Sequence, residues 1–148
     1  MPPAGRLSKI RFGKLFSAEE ANELIPRLEI LLRDLQMAAA ALRNRMDELA
    51  ESDRTIQGPE LRKLVARHPE LAELARRIAD AAEQVGSLGC LLKDIEQGLV
   101  DFPHDAGGGN IVFLCWQFGE PQIVAWHSID GGFAGRKPLP GVAKPYLN

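Results

Sequence analysis

Two long stretches of the sequence carry mostly apolar residues at alternating spacings of four and three, the pattern of helices that bury one face. The first stripe runs Leu24, Leu28, Leu31, Leu35, Ala38, Leu42, Arg45 and Leu49, and the second runs Leu71, Ala75, Ile78, Ala82, Val85, Gly89, Leu92 and Ile95. A further apolar line flanks the first stripe, so this face is wider than one partner helix requires. The pattern predicts an antiparallel helical hairpin over residues 16–97.

The ends of the first helix are marked by local signals. Ser17 followed by Glu20 forms a capping box, which places the helix start at this point. Pro26 lies inside the apolar pattern and is expected to kink the helix rather than end it. The pattern continues to about Glu51.

After the break at residues 52–58, Pro59 is expected to begin a short helix that runs through Ala66. The second long helix is expected from Pro69 to residue 97, with Gly98 as its stop.

The character of the chain changes after Gly98. Residues 101–103 read as a turn and residues 107–110 as a loop, and strands 111–118 and 122–127 flank a hairpin turn at 119–121. A turn centred between residues 119 and 120 puts Cys115 and His127 on opposite faces of this hairpin. Both faces are apolar, so the hairpin must pack on the helices and have its other face covered by a partner chain, the C-terminal tail or a ligand.

The fold class expected is therefore mainly α, or α+β: a long antiparallel helical hairpin with a short intervening helix, and a C-terminal β-hairpin packed on it. One domain would span residues 1–148, with a flexible tail at 1–15, the helices at 16–97, the β segment at 98–137 and a second tail at 138–148.

Composition excludes several classes of function. The net charge of −2 gives no pull toward nucleic acid or anionic lipid. No apolar stretch approaches the roughly 18 residues that cross a bilayer, and the first residues lack a signal-peptide core. We therefore expect a cytoplasmic protein with no nucleic-acid or membrane partner. Cys90 and Cys115 then read as buried structural thiols.

No motif predicts a metal or a cofactor. The sequence has no HxxH or HExxH pattern and no Cys/His pair at zinc-finger spacing. A carboxylate-assisted site from Asp101, His104 and His127 stays a conceivable alternative. The Gly-rich run 131–137 could form an anion-binding nest or a tight turn, and Asp101 could pair with Arg136 as a structural ion pair.

Two functions remain open. The sequence favours a protein that is not an enzyme, but the second function includes an enzymatic form. The first is a non-enzymatic, self-associating interaction protein, most simply a dimer that forms a four-helix bundle, with a protein partner possible. The second is a small-molecule binder or enzyme with a pocket between the β-hairpin and the helices, in which His127 would be the acid/base. The candidate ligand-binding residues are Asp101, Trp116, Glu120, Trp126, His127 and Arg136.

Several motifs also resemble one known family. They are Phe16-Ser17-Ala18-Glu19-Glu20-Ala21-Asn22, Leu24-Ile25-Pro26-Arg27-Leu28, Leu88-Gly89-Cys90, Gly98-Leu99-Val100-Asp101-Phe102-Pro103, Leu114-Cys115-Trp116-Gln117-Phe118-Gly119-Glu120, Trp126-His127 and Gly132-Phe133-Ala134-Gly135-Arg136. Together they resemble the uncharacterised bacterial family known as domain of unknown function 2203, over about residues 15–138. The resemblance implies no activity.

Overall fold

The helices come first in the chain and the strands follow. A computed structural model describes residues 12–52 and 61–140, and this part of the chain is α+β. The helices are α1 (Ala18–Ser52), α2 (Leu61–Arg67) and α3 (Pro69–Ser87). The expected long first helix and short second helix are confirmed, whereas the expected start at Pro59 lies outside the described residues. None of the helices in the described ranges has an apolar stretch that could cross a bilayer.

Helix α1 begins as its sequence predicts. The Glu20 backbone N–H donates to Ser17 Oγ at 3.1 Å, and the Ser17 N–H donates to Glu20 Oε1 at 3.0 Å. This capping box satisfies two backbone donors that the first helical turn leaves free. Pro26 lies within the helix and does not end it. The whole helix has 35 residues and is about 50 Å long.

Helices α1 and α3 run antiparallel. Polar contacts cross between them from one end to the other: Arg27 with Gln84 at 2.9 Å, Asp34 with Arg77 at 2.6 Å and Arg45 with Glu70 at 3.3 Å. These contacts are solvent-exposed and each contributes little to stability. Their order along the two helices confirms the hairpin, and the short α2 packs at its distal end through Leu49, Leu64 and Leu71.

The second long helix is shorter than expected, because it ends at Ser87 rather than at residue 97. Gly89 has a φ of +96°, a left-handed conformation that turns the chain out of the helix. Residues 91–94 then form a strand. The prediction failed because Leu92 and Ile95 extend the helical spacing by chance, and the spacing alone does not distinguish them from strand residues.

Five antiparallel strands follow in the order in which they occur in the chain. They are β1 (Leu91–Asp94), β2 (Leu99–Asp105), β3 (Ile111–Gln117), β4 (Ala125–His127) and β5 (Lys137–Pro138). The expected β3–β4 hairpin is therefore present, but within a larger sheet.

Residues 101–103 belong to β2, so the turn expected there is wrong. Proline is tolerated in this strand because β1 pairs with β2 only over residues 99–101, which leaves the outer side of Pro103 without a neighbouring strand. Its carbonyl accepts a hydrogen bond from the Phe16 N–H at 2.7 Å instead.

One face of the sheet packs on the helices and completes the core. It contributes Val100, Phe102, Leu114 and Trp116 to an apolar cluster with α1 and α3, in which Leu28, Leu32, Leu35, Ala81 and Val85 are fully buried or nearly so. We call this the inner face. It covers apolar residues of α1 and α3 that the two helices do not bury on each other alone.

The register of β3 and β4 differs by one residue from the expected one. Phe113 pairs with His127, and Cys115 pairs with Ala125. A shift of one residue moves every side chain of a strand to the other face, so Cys115 and His127 lie on the same face, not on opposite ones.

The loop between these strands explains the shift. It is longer than a tight turn and is tied to α1, where Asn22 Oδ1 accepts a hydrogen bond from the Ile123 N–H at 2.6 Å.

The turn between β1 and β2 provides a test of the packing. Gly98 has a φ of +69°, and a Cβ added there would lie 2.5 Å from Phe118 Cβ. Gly108 has a similar φ of +61°, but no atom lies within 4 Å of an added Cβ. Gly108→Ala should lower the free energy of unfolding by about 1 kcal/mol through backbone strain alone. Gly98→Ala should cost at least about 3 kcal/mol because the clash is added.

Urea unfolding followed by circular dichroism measures the free energy of unfolding of both variants. Equal losses of stability in the two would contradict the close approach of Phe118 to the β1–β2 turn.

Candidate functional site

The face of the sheet that points away from the helices, called here the outer face, carries a small cavity. The cavity has a volume of about 180 Å³. Its floor includes Asp101 from β2, Cys115 from β3 and His127 from β4, which we call the outer-face trio. Its walls are Lys93, Leu99, Phe113, Ile129, Gly132 and Phe133, the last of these in a short 3-10 turn at Phe133–Gly135.

Strand pairing brings the trio together. Asp101 and Cys115 are directly paired across β2 and β3, so their side chains share a face. His127 pairs with Phe113, two residues from Cys115 along β3 and on the same face. Each of the three side chains has one nitrogen, oxygen or sulfur atom that lies within 4.8 Å of the corresponding atoms of the other two. All three residues are buried.

The hydrogen bonds of His127 define where its protons are. Its Nδ1 lies 2.7 Å from the Ser128 carbonyl oxygen, which can only accept, so Nδ1 carries a proton. Its Nε2 lies 3.0 Å from Asp101 Oδ2. A hydrogen bond there requires one proton between the ring nitrogen and the carboxylate, and the pair is neutral overall whichever of the two atoms holds it.

The Cys115 thiol is the third member of the trio. Burial, followed by the neighbouring Asp101 carboxylate, raises the pKa of Cys115 to about 12. Burial likewise raises the pKa of Cys90, elsewhere in the core, to about 11. Both thiols are thus protonated at neutral pH, which argues against either being a nucleophile in this state.

A second polar pair, which is part-buried, lies beside the trio. Arg136 Nη2 donates to both carboxylate oxygens of Glu120 at 2.8 Å and to the Cys115 carbonyl at 3.3 Å. The two side chains are 16% and 13% exposed. The Arg136 guanidinium also lies 5.2 Å from the centre of the Phe133 ring, so the pair supports one wall of the cavity.

This arrangement corrects the expected ion pair between Asp101 and Arg136. Asp101 is bonded to His127, and Arg136 is bonded to Glu120. The exchange of partners follows from the strand register, because the shift of one residue turns His127 toward Asp101.

The two tryptophans do not line the cavity. Trp116 is fully buried in the core, where its indole N–H donates to the Glu120 carbonyl at 2.9 Å. Trp126 borders a separate hollow that it shares with His104. His104 is bonded through Nδ1 to the Phe16 carbonyl and does not join Asp101 and His127.

Of the six candidate residues, Asp101 and His127 therefore form the floor of the cavity, Glu120 and Arg136 support it, and the tryptophans lie elsewhere. The cavity is on the opposite side of the sheet from the helices, and not between the β-hairpin and the helices as the sequence predicted. Cys115 was missed as a site residue because the expected register turned it away from His127. One sequence signal could have found the position of the site: Asp101 lies between Val100 and Phe102, a charged residue within an apolar stretch.

A comparison with protein-family models matches residues 14–139 to an uncharacterized conserved protein family, DUF2203. The chain belongs to this family. The matched range includes the outer-face trio and the pair of Glu120 with Arg136, so the site lies within the DUF2203 domain. The description of DUF2203 gives no activity. No curated protein and no solved structure matches the chain.

The Glu120–Arg136 pair of this DUF2203 protein should be important for its stability. Glu120→Ala leaves a largely buried guanidinium without its counter-charge, which should cost about 3 kcal/mol or more of unfolding free energy. Glu73→Ala is the matched control, since Glu73 pairs with Arg76 on the surface of α3, where both side chains are 59% exposed. That loss should be far smaller, because solvent screens an exposed ion pair.

Chemical unfolding of both variants under one set of conditions makes the comparison. Comparable losses would show that the pair of Glu120 and Arg136 is no more important to the fold than a surface contact.

Proposed function

We propose that this DUF2203 protein binds a small molecule in the outer-face cavity, with Asp101 and His127 as the polar groups that orient it. One observation carries the proposal. The two residues are only 3% and 2% exposed, yet their side chains line an open space rather than packed core. Polar groups that converge on an otherwise apolar hollow are the usual arrangement of a ligand site.

The size of the cavity limits the ligand. A volume of about 180 Å³ is below the roughly 300–1,000 Å³ typical of sites for drug-sized molecules. At about 30 Å³ per molecule of liquid water, it corresponds to about six waters. A nucleotide or a flavin would not fit, whereas a small organic acid would.

The charge and polarity of the walls favour an anion with an apolar part. Leu99, Phe113, Ile129 and Phe133 supply apolar contacts. Lys93 is the cation at the edge, with its ammonium group 5.6 Å from the centre of the Phe113 ring. Since the Asp101–His127 pair is neutral overall, Lys93 gives the site a positive balance. A short-chain carboxylate combines the two required features.

The same pair makes acid–base chemistry available to the ligand. One proton is held between Nε2 of His127 and Oδ2 of Asp101, and a bound group within hydrogen-bonding distance could exchange with it. The proposal is for binding, and proton transfer would be an additional step at the same atoms.

Nuclear magnetic resonance of the histidine rings tests the binding site directly. The chain has three histidines, so His68 and His104 serve as internal controls for His127. Titration with butyrate, in the presence of EDTA, should shift the His127 ring signals saturably and leave the other two unchanged. Acetate, with less apolar surface, should bind more weakly.

Two variants, each with a larger side chain in one of two cavities, show which cavity causes the shift of the His127 signals. Leu99→Phe occupies part of the cavity and should weaken the response, whereas Leu139→Phe fills the separate hollow beside Trp126 and should not. The proposal fails if butyrate leaves His127 unshifted, or if all three histidines respond alike.

We also propose that the chain self-associates as a dimer through the exposed side of α1. Ile30 and Met37 support this, because they are 61% and 64% exposed and lie seven residues apart, on one stripe of the helix. The proposal rests on this stripe, since the sheet packs on the apolar face of α1 and α3 that lies toward the core. A second copy offering the same stripe would form an isologous contact.

Light scattering measures the molar mass of the protein as it elutes from a sizing column at micromolar concentration. The wild type should elute as a dimer, and Ile30→Glu or Met37→Glu should shift it to a monomer. Ala72→Glu adds the same charge at an exposed position of α3 and should leave the dimer intact. A monomeric wild type would rule out this interface.

A further inference from the structure

We propose that Asp101, Cys115 and His127 form a binding site for one divalent transition-metal ion of the zinc type, with the cavity as its open coordination position. The metal would be bound by the side chains of three neighbouring strands. This proposal concerns the same cavity as the small-molecule proposal but does not depend on it, because the metal is bound by the protein alone.

The distances suit such an ion. Zinc bonds of about 2.0 Å to nitrogen or oxygen and about 2.3 Å to sulfur place tetrahedral donors about 3.3 to 3.5 Å apart. Here Nε2 of His127 and Oδ2 of Asp101 are 3.0 Å apart, and Sγ of Cys115 lies within 4.8 Å of a ring nitrogen of His127 and a carboxylate oxygen of Asp101. Side-chain adjustments of about 1 Å would complete the geometry without moving the strands.

His127 is already oriented as a ligand. Its Nδ1–H donates to the Ser128 carbonyl, which leaves Nε2 as the nitrogen that faces the trio. Histidines that bind metals commonly donate their second ring N–H to a carbonyl or a carboxylate, and this bond fixes both the ring and the tautomer.

The charge of the site balances when a metal enters. Without it, one proton lies between His127 and Asp101 and another lies on the Cys115 thiol, so the trio is neutral. A divalent ion would bond to Nε2, Oδ2 and Sγ and release these two protons to solvent, which leaves the site neutral again. Arg136, the cation behind Cys115, is already compensated by Glu120. A buried site therefore gains no uncompensated charge.

The set of donor atoms selects the class of metal. One thiolate, one imidazole and one carboxylate suit zinc and similar transition metals, whereas magnesium and calcium prefer oxygen donors throughout. Three protein ligands with a fourth position open are typical of catalytic rather than structural zinc sites. Here the fourth position would face the cavity, where water or a small anion could occupy it.

Cobalt titration of the full-length protein tests this site. After treatment with EDTA and its removal, Co²⁺ should bind with a stoichiometry of one per chain. It should give a near-ultraviolet charge-transfer band that reports a thiolate ligand, and Zn²⁺ should displace it. No organic ligand is added, so this result is separate from that of the butyrate titration, which is carried out in EDTA.

Three variants identify the ligands. Cys115→Ala should abolish the charge-transfer band and weaken binding by more than about 100-fold, since loss of an outer-shell partner alone costs 10–100-fold. Cys90→Ala, which removes the buried thiol outside the trio, should bind cobalt like the wild type. Asp101→Asn preserves the shape of the side chain and provides a second test if Cys115→Ala does not fold, as judged by circular dichroism.

The proposal is overturned if the folded wild type takes up no stoichiometric cobalt. It is equally overturned if the band persists in Cys115→Ala and disappears in Cys90→Ala, or if binding is unchanged in Asp101→Asn.

Discussion

The contact between the sheet and the helix pair is the constraint on which the rest of this structure depends. A five-stranded antiparallel sheet with short outer strands needs an apolar partner, and the pair of α1 and α3 needs cover for a face wider than one helix. Phe102 and Trp116 fill this interface from the sheet side and are fully buried there. Because one face of the sheet is committed to this core, the other face is available for a site.

Polar groups on that second face are costly unless they bond to one another. Asp101 and His127 satisfy each other, and the Ser128 carbonyl satisfies the remaining ring nitrogen of His127. Glu120 and Arg136 do the same a short distance away, although Arg136 Nε has no hydrogen-bond partner among the described residues. An apolar sheet face would be simpler to fold. The presence of two polar pairs around one cavity is what makes a function there the better explanation.

The sequence predicted the elements well where local signals were strong. The capping box at Ser17 and the long apolar stripe predicted α1 from its first turn to its end. The same spacing rule failed in the stretch from Gly89 to Ile95, because four strand residues are too few to show a period of their own. Pro103 likewise looked like a turn residue, since nothing in the sequence shows that the neighbouring strand stops two residues before it.

The site was harder to predict than the fold because it depends on register. Asp101 and His127 were identified as candidates from their chemistry, but their partners were assigned wrongly. The β3–β4 connection decides which side chains meet, and it is held in place by Asn22, about a hundred positions earlier in the chain. Local rules for turns contain no information about such a long-range hydrogen bond.

The segment that joins His127 to Arg136 is held by polar bonds at both ends, whereas residues 128–134 between them are exposed. Ile129 and Phe133 in its middle stand between solvent and the trio. Movement of these two side chains would change how fast a solute enters and leaves without altering its polar bonds to Asp101 and His127. Substitution of Ile129 or Phe133 would therefore change the rates of entry and exit together with the apolar contacts, whereas the orientation of the solute would depend on the two polar residues.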